Sequence, residues 1–174
     1  MNLQTFDLAP IHVAPRHLKD TLRCLLHTVL FHRAMGPITP TDAKCDSFDI
    51  TYAWLGDANI NRTVESSIAD VSNDQGNITA SVSFYFEPNK KQIYFERWTL
   101  PFSLGNTTND EEIRTRMMDI VALANQKTEH IPSIKHCANH GCFPFEIAIA
   151  NGHTDSGWIE SLKRMLRQGP PLVT

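Results

Sequence analysis

The stretch CLLHTVLFHR, residues 24–33, sets His27 and His32 into a run of leucine, valine and phenylalanine. A metal pair on a helix needs a spacing of four, so that both rings lie on one face. His27 and His32 are five apart, which turns them roughly 140° from each other at about 100° per residue. On the same wheel His32 sits at the edge of the apolar stripe and His27 lies opposite its centre. The two read as structural or interface histidines, since an apolar setting with one polar tip is a common place for imidazole.

A second cluster, HCANHGC, gathers His136, Cys137, His140 and Cys142, a ligand set that zinc binds tetrahedrally. Its spacing argues against a structural zinc knuckle, which draws ligand pairs from separated turns to close a loop. Here adjacent His136 and Cys137 would have to point at one centre, and a polar loop is the simpler reading. No GxSxG elbow, Gly-rich phosphate loop, HExxH or cysteine-nucleophile setting occurs. Asp46 and Asp49 are an odd number of residues apart on a strand-like segment and so face opposite sides. Glu111 and Glu112 belong to the start of a helix, where capping accounts for them. Trp54, Trp98 and Trp158 read as packing residues.

The elements that carry these residues follow from periodicity. Residues 3–13 are strand-like around Pro10, and a proline there marks an edge or a bulge. A helix follows, with Pro15 at its start, Gly36 past its end and Leu18, Leu22, Leu25, Leu26, Val29 and Leu30 as its stripe. Cys24 and Phe31 fall outside the stripe, which predicts protein contact on a second side. GPITPTDAK reads as a loop, and CDSFDITYAWL as a half-buried strand on the alternation of Phe48, Ile50, Tyr52 and Trp54. Residues 58–71 return to helical spacing. Two alternating strands, 77–86 and 92–100, are joined by the polar turn EPNKK and form the clearest hairpin signal. A long helix begins near Asn109, with Ile113, Met117, Ile120, Val121 and Ala124 as its stripe and Met118 beside it. The strand-like FPFEIAIA and a short amphipathic helix, SGWIESLKRML, complete the chain. The fold class is α+β with an antiparallel sheet.

The chain has 174 residues, 41% hydrophobic and 20% charged, with a formal net charge of -3. That fits a single domain over 1–174 with a sizeable core and gives no electrostatic footprint for nucleic acid. No apolar run approaches the ~20 residues of a membrane span. The N-terminus lacks the features of a secretory signal, so the sequons at Asn61, Asn77 and Asn106 are chance matches. The four cysteines suit a reducing compartment. The expected setting is cytoplasmic.

LLHTVLFHRAMG (25–36), followed shortly by CDSFDITY (45–52) and later by QIYFERWTL (92–100), resembles the autophagy-related protein 101 family. The order of elements agrees along nearly the whole chain. The resemblance implies a HORMA domain: an antiparallel sheet of three strands backed by three helices, with a C-terminal strand and helix segment that rearranges in some relatives. It further implies a non-catalytic adaptor, with no cofactor and no metal. Such an adaptor forms a heterodimer with the HORMA domain of autophagy-related protein 13, stabilises it, and serves the autophagy-initiation kinase complex at the phagophore assembly site. HORMA relatives commonly dimerise through the third helix and the loop after the first, here residues 109–125 and 32–46. On that basis His32, Arg33, Asp42, Asp46, Met117, Met118 and Val121 are the expected partner-binding residues. Two features depart from the family pattern. The hairpin turn EPNKK lacks the Trp-Pro-Phe finger of animal members, and HCANHGC has no counterpart. The alternatives to an adaptor are a zinc-dependent binding module organised by His136–Cys142 and a small hydrolase, for which no nucleophile motif is present.

Overall fold

In the hairpin, alternation gives each strand one fully buried row, while the opposite row is buried along its middle, at Ser81, Ser83 and Arg97. The computed structural model describes residues 3–34, 38–71, 76–133, 135 and 143–151. Strands β5 (Asn77–Phe86) and β6 (Ile93–Leu104) pair antiparallel, with Ile78 opposite Phe102, Ala80 opposite Leu100, Val82 opposite Trp98 and Phe84 opposite Glu96. All of these side chains are buried. A register shift between Phe84 and Tyr85 leaves Phe95 without an opposite residue. Phe95 is nonetheless fully buried, with Phe143 edge-on to its ring at 4.9 Å. This is the usual work of a bulge, which re-aims a side chain at the cost of one ladder step. The connecting turn uses Asn89 and Lys90 at φ 55° and 63°, a left-handed conformation that asparagine tolerates well.

Residues 3–13 form two short strands, β1 (Gln4–Asp7) and β2 (Ile11–Val13). Both lie along β6 in parallel, so the antiparallel expectation holds for the hairpin and not for this edge. Pro10 separates them, as a residue without an N–H must at a sheet edge. On the other side β7 (Phe145–Asn151) pairs antiparallel with β5. The resulting sheet has five strands, in the order β1–β6–β5–β7 with β2 also on β6, rather than three. It is mostly antiparallel and HORMA-like.

Helix α1 (Leu18–Phe31) is buried on its leucine stripe and also at Cys24, His27 and Thr28. The second side is covered by a separate two-stranded ribbon, β3 (Pro40–Lys44) against β4 (Thr51–Leu55), and by α2 (Ala58–Ala69). The segment expected as a loop therefore holds a strand. The strand expected over 45–55 is confined to its second half, because residues 46–49 bend. Proline and aspartate masked the β3 signal. Asp57 caps α2 by accepting from the backbone N–H groups of Asn59 and Ile60. Asn109 caps α3 (Asp110–Gln126) by accepting from Glu111 N–H, and Asp110, Glu111 and Glu112 suit the positive end of that helix. The amphipathic segment SGWIESLKRML lies outside the described residues.

One charged cluster sits inside the molecule. Glu96 is 0% exposed, and Arg33 is 2% exposed. Arg33 Nε donates to both carboxylate oxygens of Glu96, at 2.8 and 2.9 Å. Trp98 Nε1 donates to Oε1, and His130 Nε2 lies 2.5 Å from Oε2. Arg33 Nη1 also donates to the carbonyls of His32 and Ala124. The expectation that Arg33 faces a partner is therefore corrected: its guanidinium fastens the ends of α1 and α3 to the middle of β6. A buried ion pair of this kind is stabilising only while complete. Glu96→Ala strands Arg33 in the core and is expected to cost about 3–5 kcal/mol, whereas Arg33→Met with Glu96→Leu together should cost much less. Urea denaturation checks both, and a loss below about 1 kcal/mol for Glu96→Ala contradicts this account.

His27 is a buried titratable group apart from that cluster. It is 1% exposed, its ring stacks 5.8 Å from Tyr52 of β4, and its Nδ1 has no hydrogen-bond partner among the described residues. Burial pushes its pKa down from 6.5 to about 4, against a smaller opposing pull from Glu65. Above pH 6.5 the ring is neutral in both folded and unfolded chains. Between 6.5 and about 4 only the unfolded chain takes the proton, so stability falls as pH falls. At about 1.4 kcal/mol per pH unit, this interval is worth about 3 kcal/mol. His27→Phe keeps an aromatic ring against Tyr52 without the titration. Denaturation series from pH 7 to 4 should therefore show a shallower decline for the variant, and parallel declines would remove His27 as the source.

Candidate partner-binding surface

Three rows of side chains run along α3. Ile113, Ile120 and Ala124 are buried in the core. Met117 and Val121 are half-buried beside them, and Cys24 Sγ donates to Met117 Sδ at 3.5 Å, tying α3 to α1. The third row, Glu111, Thr115, Met118, Ala122 and Asn125, is exposed. Met118 is 66% exposed, the most open large apolar side chain described. From Thr115 to Asn125 this row carries no charge, unusual for a solvated helix face.

The end of α1 borders the same helix through Arg33 and Ala124. Phe31 is partly open, at 36%, and its ring lies edge-on to His32 at 5.3 Å. His32 is half-buried, and burial, with Arg33 beside it, lowers its pKa. At the other end of α3, Arg114 donates to the Asp49 carbonyl and joins the bend after β3 to the helix. Asp46 is exposed in that bend, and Asp42 is exposed on β3. The bend is anchored from behind, because Ser47 Oγ donates to Asp20 on α1. Arg23 spans Asp20 at 2.8 Å and Glu65 of α2 at 2.6 and 2.9 Å. The Glu65 carboxylate is the main cause of the raised pKa of Arg23. Between these groups lies a recess of ≈ 160 Å³ lined by Asp20, Arg23, Lys44, Cys45, Asp46 and Tyr52.

Of the seven expected partner residues, Met117, Met118 and Val121 lie on α3, His32 follows the end of α1, Asp46 lies in the bend after β3, Asp42 stands on the ribbon, and Arg33 lies inside. The residues missed by sequence reasoning are Glu96 and His130, which organise the interior beneath this surface. A glutamate in an inward position of the alternating YFERWTL was the available signal.

The interior offers little chemistry. Burial pushes the Cys24 thiol up to about 12 and the Cys45 thiol upward, takes the Tyr52 hydroxyl up to about 12, and holds His27 neutral. For the two thiols and the tyrosine the shift disfavours the nucleophilic anion, and for His27 it leaves a neutral ring that is a weaker base than a free imidazole. Among the described residues no group of three or more His, Cys, Asp or Glu side chains is placed to hold a metal ion. His136–Cys142 lies outside the described residues, and so does any structural test of the zinc reading. No described helix is long and apolar enough to cross a membrane.

Comparison with known proteins bears on the family of the chain. The family model for autophagy-related protein 101 matches residues 10–138. A protein of that name from Arabidopsis thaliana is 24% identical over 213 aligned positions, covering 98% of this chain and 98% of its own length. The human protein is 25% identical over 146 positions, and that from Xenopus laevis 24%, each covering 72% of this chain. The alignment spans only 62% of those two animal relatives' own length. With the family model matched over more than half its length, the chain belongs to the autophagy-related protein 101 family.

Proposed function

We propose that this chain is a non-catalytic adaptor of autophagy initiation. In this reading residues 1–174 form one HORMA domain that heterodimerises with the HORMA domain of autophagy-related protein 13 and stabilises it within the initiating kinase complex. The observation that carries the proposal is the exposed row of α3 that is uncharged from Thr115 to Asn125 and holds Met118. It is flanked by Phe31 and His32 at one end and by Asp46 at the other. Methionine is adaptable enough to fill a mating pocket. The depressed thiol and imidazole reactivity inside favours a protein that acts through surfaces over one that turns over a substrate. Recruitment to the phagophore assembly site would then be delivered by the complex. With the hairpin turn reduced to EPNKK, the proposal assigns no recruiting role to that loop.

Mixing the chain with the autophagy-related protein 13 HORMA domain should raise the unfolding temperature of the mixture. Mass action supplies about 2.7 kcal/mol at a hundredfold excess over Kd. Met118→Glu places a charge in the desolvated centre and Asp42→Arg reverses a charge on the ribbon. Both should leave circular dichroism native while calorimetric affinity falls at least about tenfold, the lower bound for unpaired charge at such a site. Unfolding traces that are the plain sum of the separate proteins refute the pairing, and wild-type affinity in both variants moves it to another face.

A further inference from the structure

The five-stranded sheet is buried on both faces, and the helices account for only one of them. α1, α2 and α3 send their buried residues into a single core with Ala80, Val82, Trp98 and Leu100. On the opposite face the register sets Ser81 and Ser83 of β5 between Thr99 and Arg97 of β6 and Ala148 and Glu146 of β7. Ser83 is 2% exposed there and Arg97 only 9%, a value that a long cation does not reach on a sheet face open to water. Arg97 Nε donates to Ser83 Oγ at 3.5 Å, and burial lowers its pKa. Tyr94 and Ala150 are buried on this face too, yet neither belongs to the core beneath the helices. The burial follows β5 and its two flanks and stops at β1, where Thr5 and Asp7 of the same face are exposed. So long and narrow a patch is the footprint of one helix. We propose that the amphipathic segment SGWIESLKRML, residues 156–166, covers this face as a helix laid back along β5.

Reach, length and chemistry select that occupant. β7 ends at Asn151, opposite Ile78 and beside the patch. Residues 152–155 span at most about 14 Å when extended, enough to climb from the edge strand to the ~10 Å at which a second layer packs on a sheet. A helix over 156–166 is about 16 Å long, against about 20 Å of β5 from Thr79 to Tyr85. Trp158, Ile159, Leu162, Met165 and Leu166 fall within about 120° of the helical wheel, with Glu160 and Arg164 on its far side. The small side chains of Ser81, Thr99 and Ala148 leave room for that bulky row, and its apolar cover accounts for the desolvation of Arg97. Lys163, at the edge of the row, has the sign to meet Glu146. α3 packs against the other face of the sheet, so this cover leaves the proposed heterodimer surface open, and either reading can fail without the other.

Thiol labelling of the full chain with iodoacetamide tests the proposal, read site by site by peptide mass spectrometry so that the native cysteines do not interfere. Ser81→Cys puts a thiol at the centre of the patch, and Thr5→Cys puts one on the same face beyond it. With the tail unaltered, the thiol of Ser81→Cys should react at least about tenfold more slowly, because it is reached only through local opening. Adding Trp158→Glu and Leu162→Glu should bring the two rates together while circular dichroism stays near native. Leu162→Ala, a milder change, should give an intermediate rate, and it decides the matter if the double glutamate variant fails to fold. Equal rates in the unaltered tail overturn the proposal. So does protection that survives these tail variants, which assigns the cover to another segment, or protection that fades on dilution, which assigns it to a second copy of the chain.

Discussion

A carboxylate held in a hydrocarbon core makes demands on everything around it, and Glu96 is such a group. It sits on β6 among residues of the core, and it is satisfied because three donors converge on it, Arg33 and His130 from distant segments and Trp98 from the same strand. Arg33 must leave the last turn of α1 and reach inward. Trp98, two residues along the same strand, must present its indole N–H while its ring stacks on Phe6 at 4.2 Å. His130 must arrive after α3 has run its length. Each donor is itself pinned by another contact, Arg33 by the carbonyls of His32 and Ala124. The relative placement of α1, α3 and the sheet is thus set by directional bonds as well as by packing, which alone tolerates sliding.

That rigid interior frames an outer face with different properties. The ionisable groups buried around α1 are driven toward neutrality, and the described charges that remain are mostly local ion pairs such as Arg23 with Glu65 or Arg116 with Asp119. The face of α3 departs from this economy, with a row in which a methionine stands open to water between threonine, alanine and asparagine. The same helix thus serves the core on one side and stands open to water on the other, and Met117 and Val121 grade between the two.

Much of the architecture was legible in the sequence because it rests on simple periods. The hairpin, α2 and α3 are found where alternation or three-four spacing placed them, and Asn109 caps as its side chain suggests. Three features escaped for identifiable reasons. The β3 strand is written in Pro-Thr-Asp-Ala-Lys, residues of low strand propensity that hold because β4 supplies the apolar half of the ribbon. The parallel seating of β1 and β2 depends on which sheet edge is free, a tertiary fact with no local signature. Arg33 closes a helix rich in surface signals, and nothing nearby in the chain announces that its partner lies on a strand 63 residues later. For the outer surface, the exposed row of α3 follows from the position of its core row, whereas the pairing of Asp49 and Arg114 does not.

The parallel pairing of β1 with β6 also sets an order of events during synthesis. Gln4 meets Glu96 and Asp7 meets Thr99, so the first strand to leave the ribosome waits for the sixth. At about 5–20 residues per second that interval is on the order of 5–20 s, long compared with the microseconds in which a helix or hairpin forms. Through that time Phe6 has no Trp98 to stack on, and β1 stays unpaired. Splitting that strand at Pro10 and placing Thr5, Asp7 and His12 at outward positions shortens any continuous apolar edge it offers to neighbours. The N-terminal edge is therefore the last part of the sheet's β6 side to close, and its sequence is built to wait.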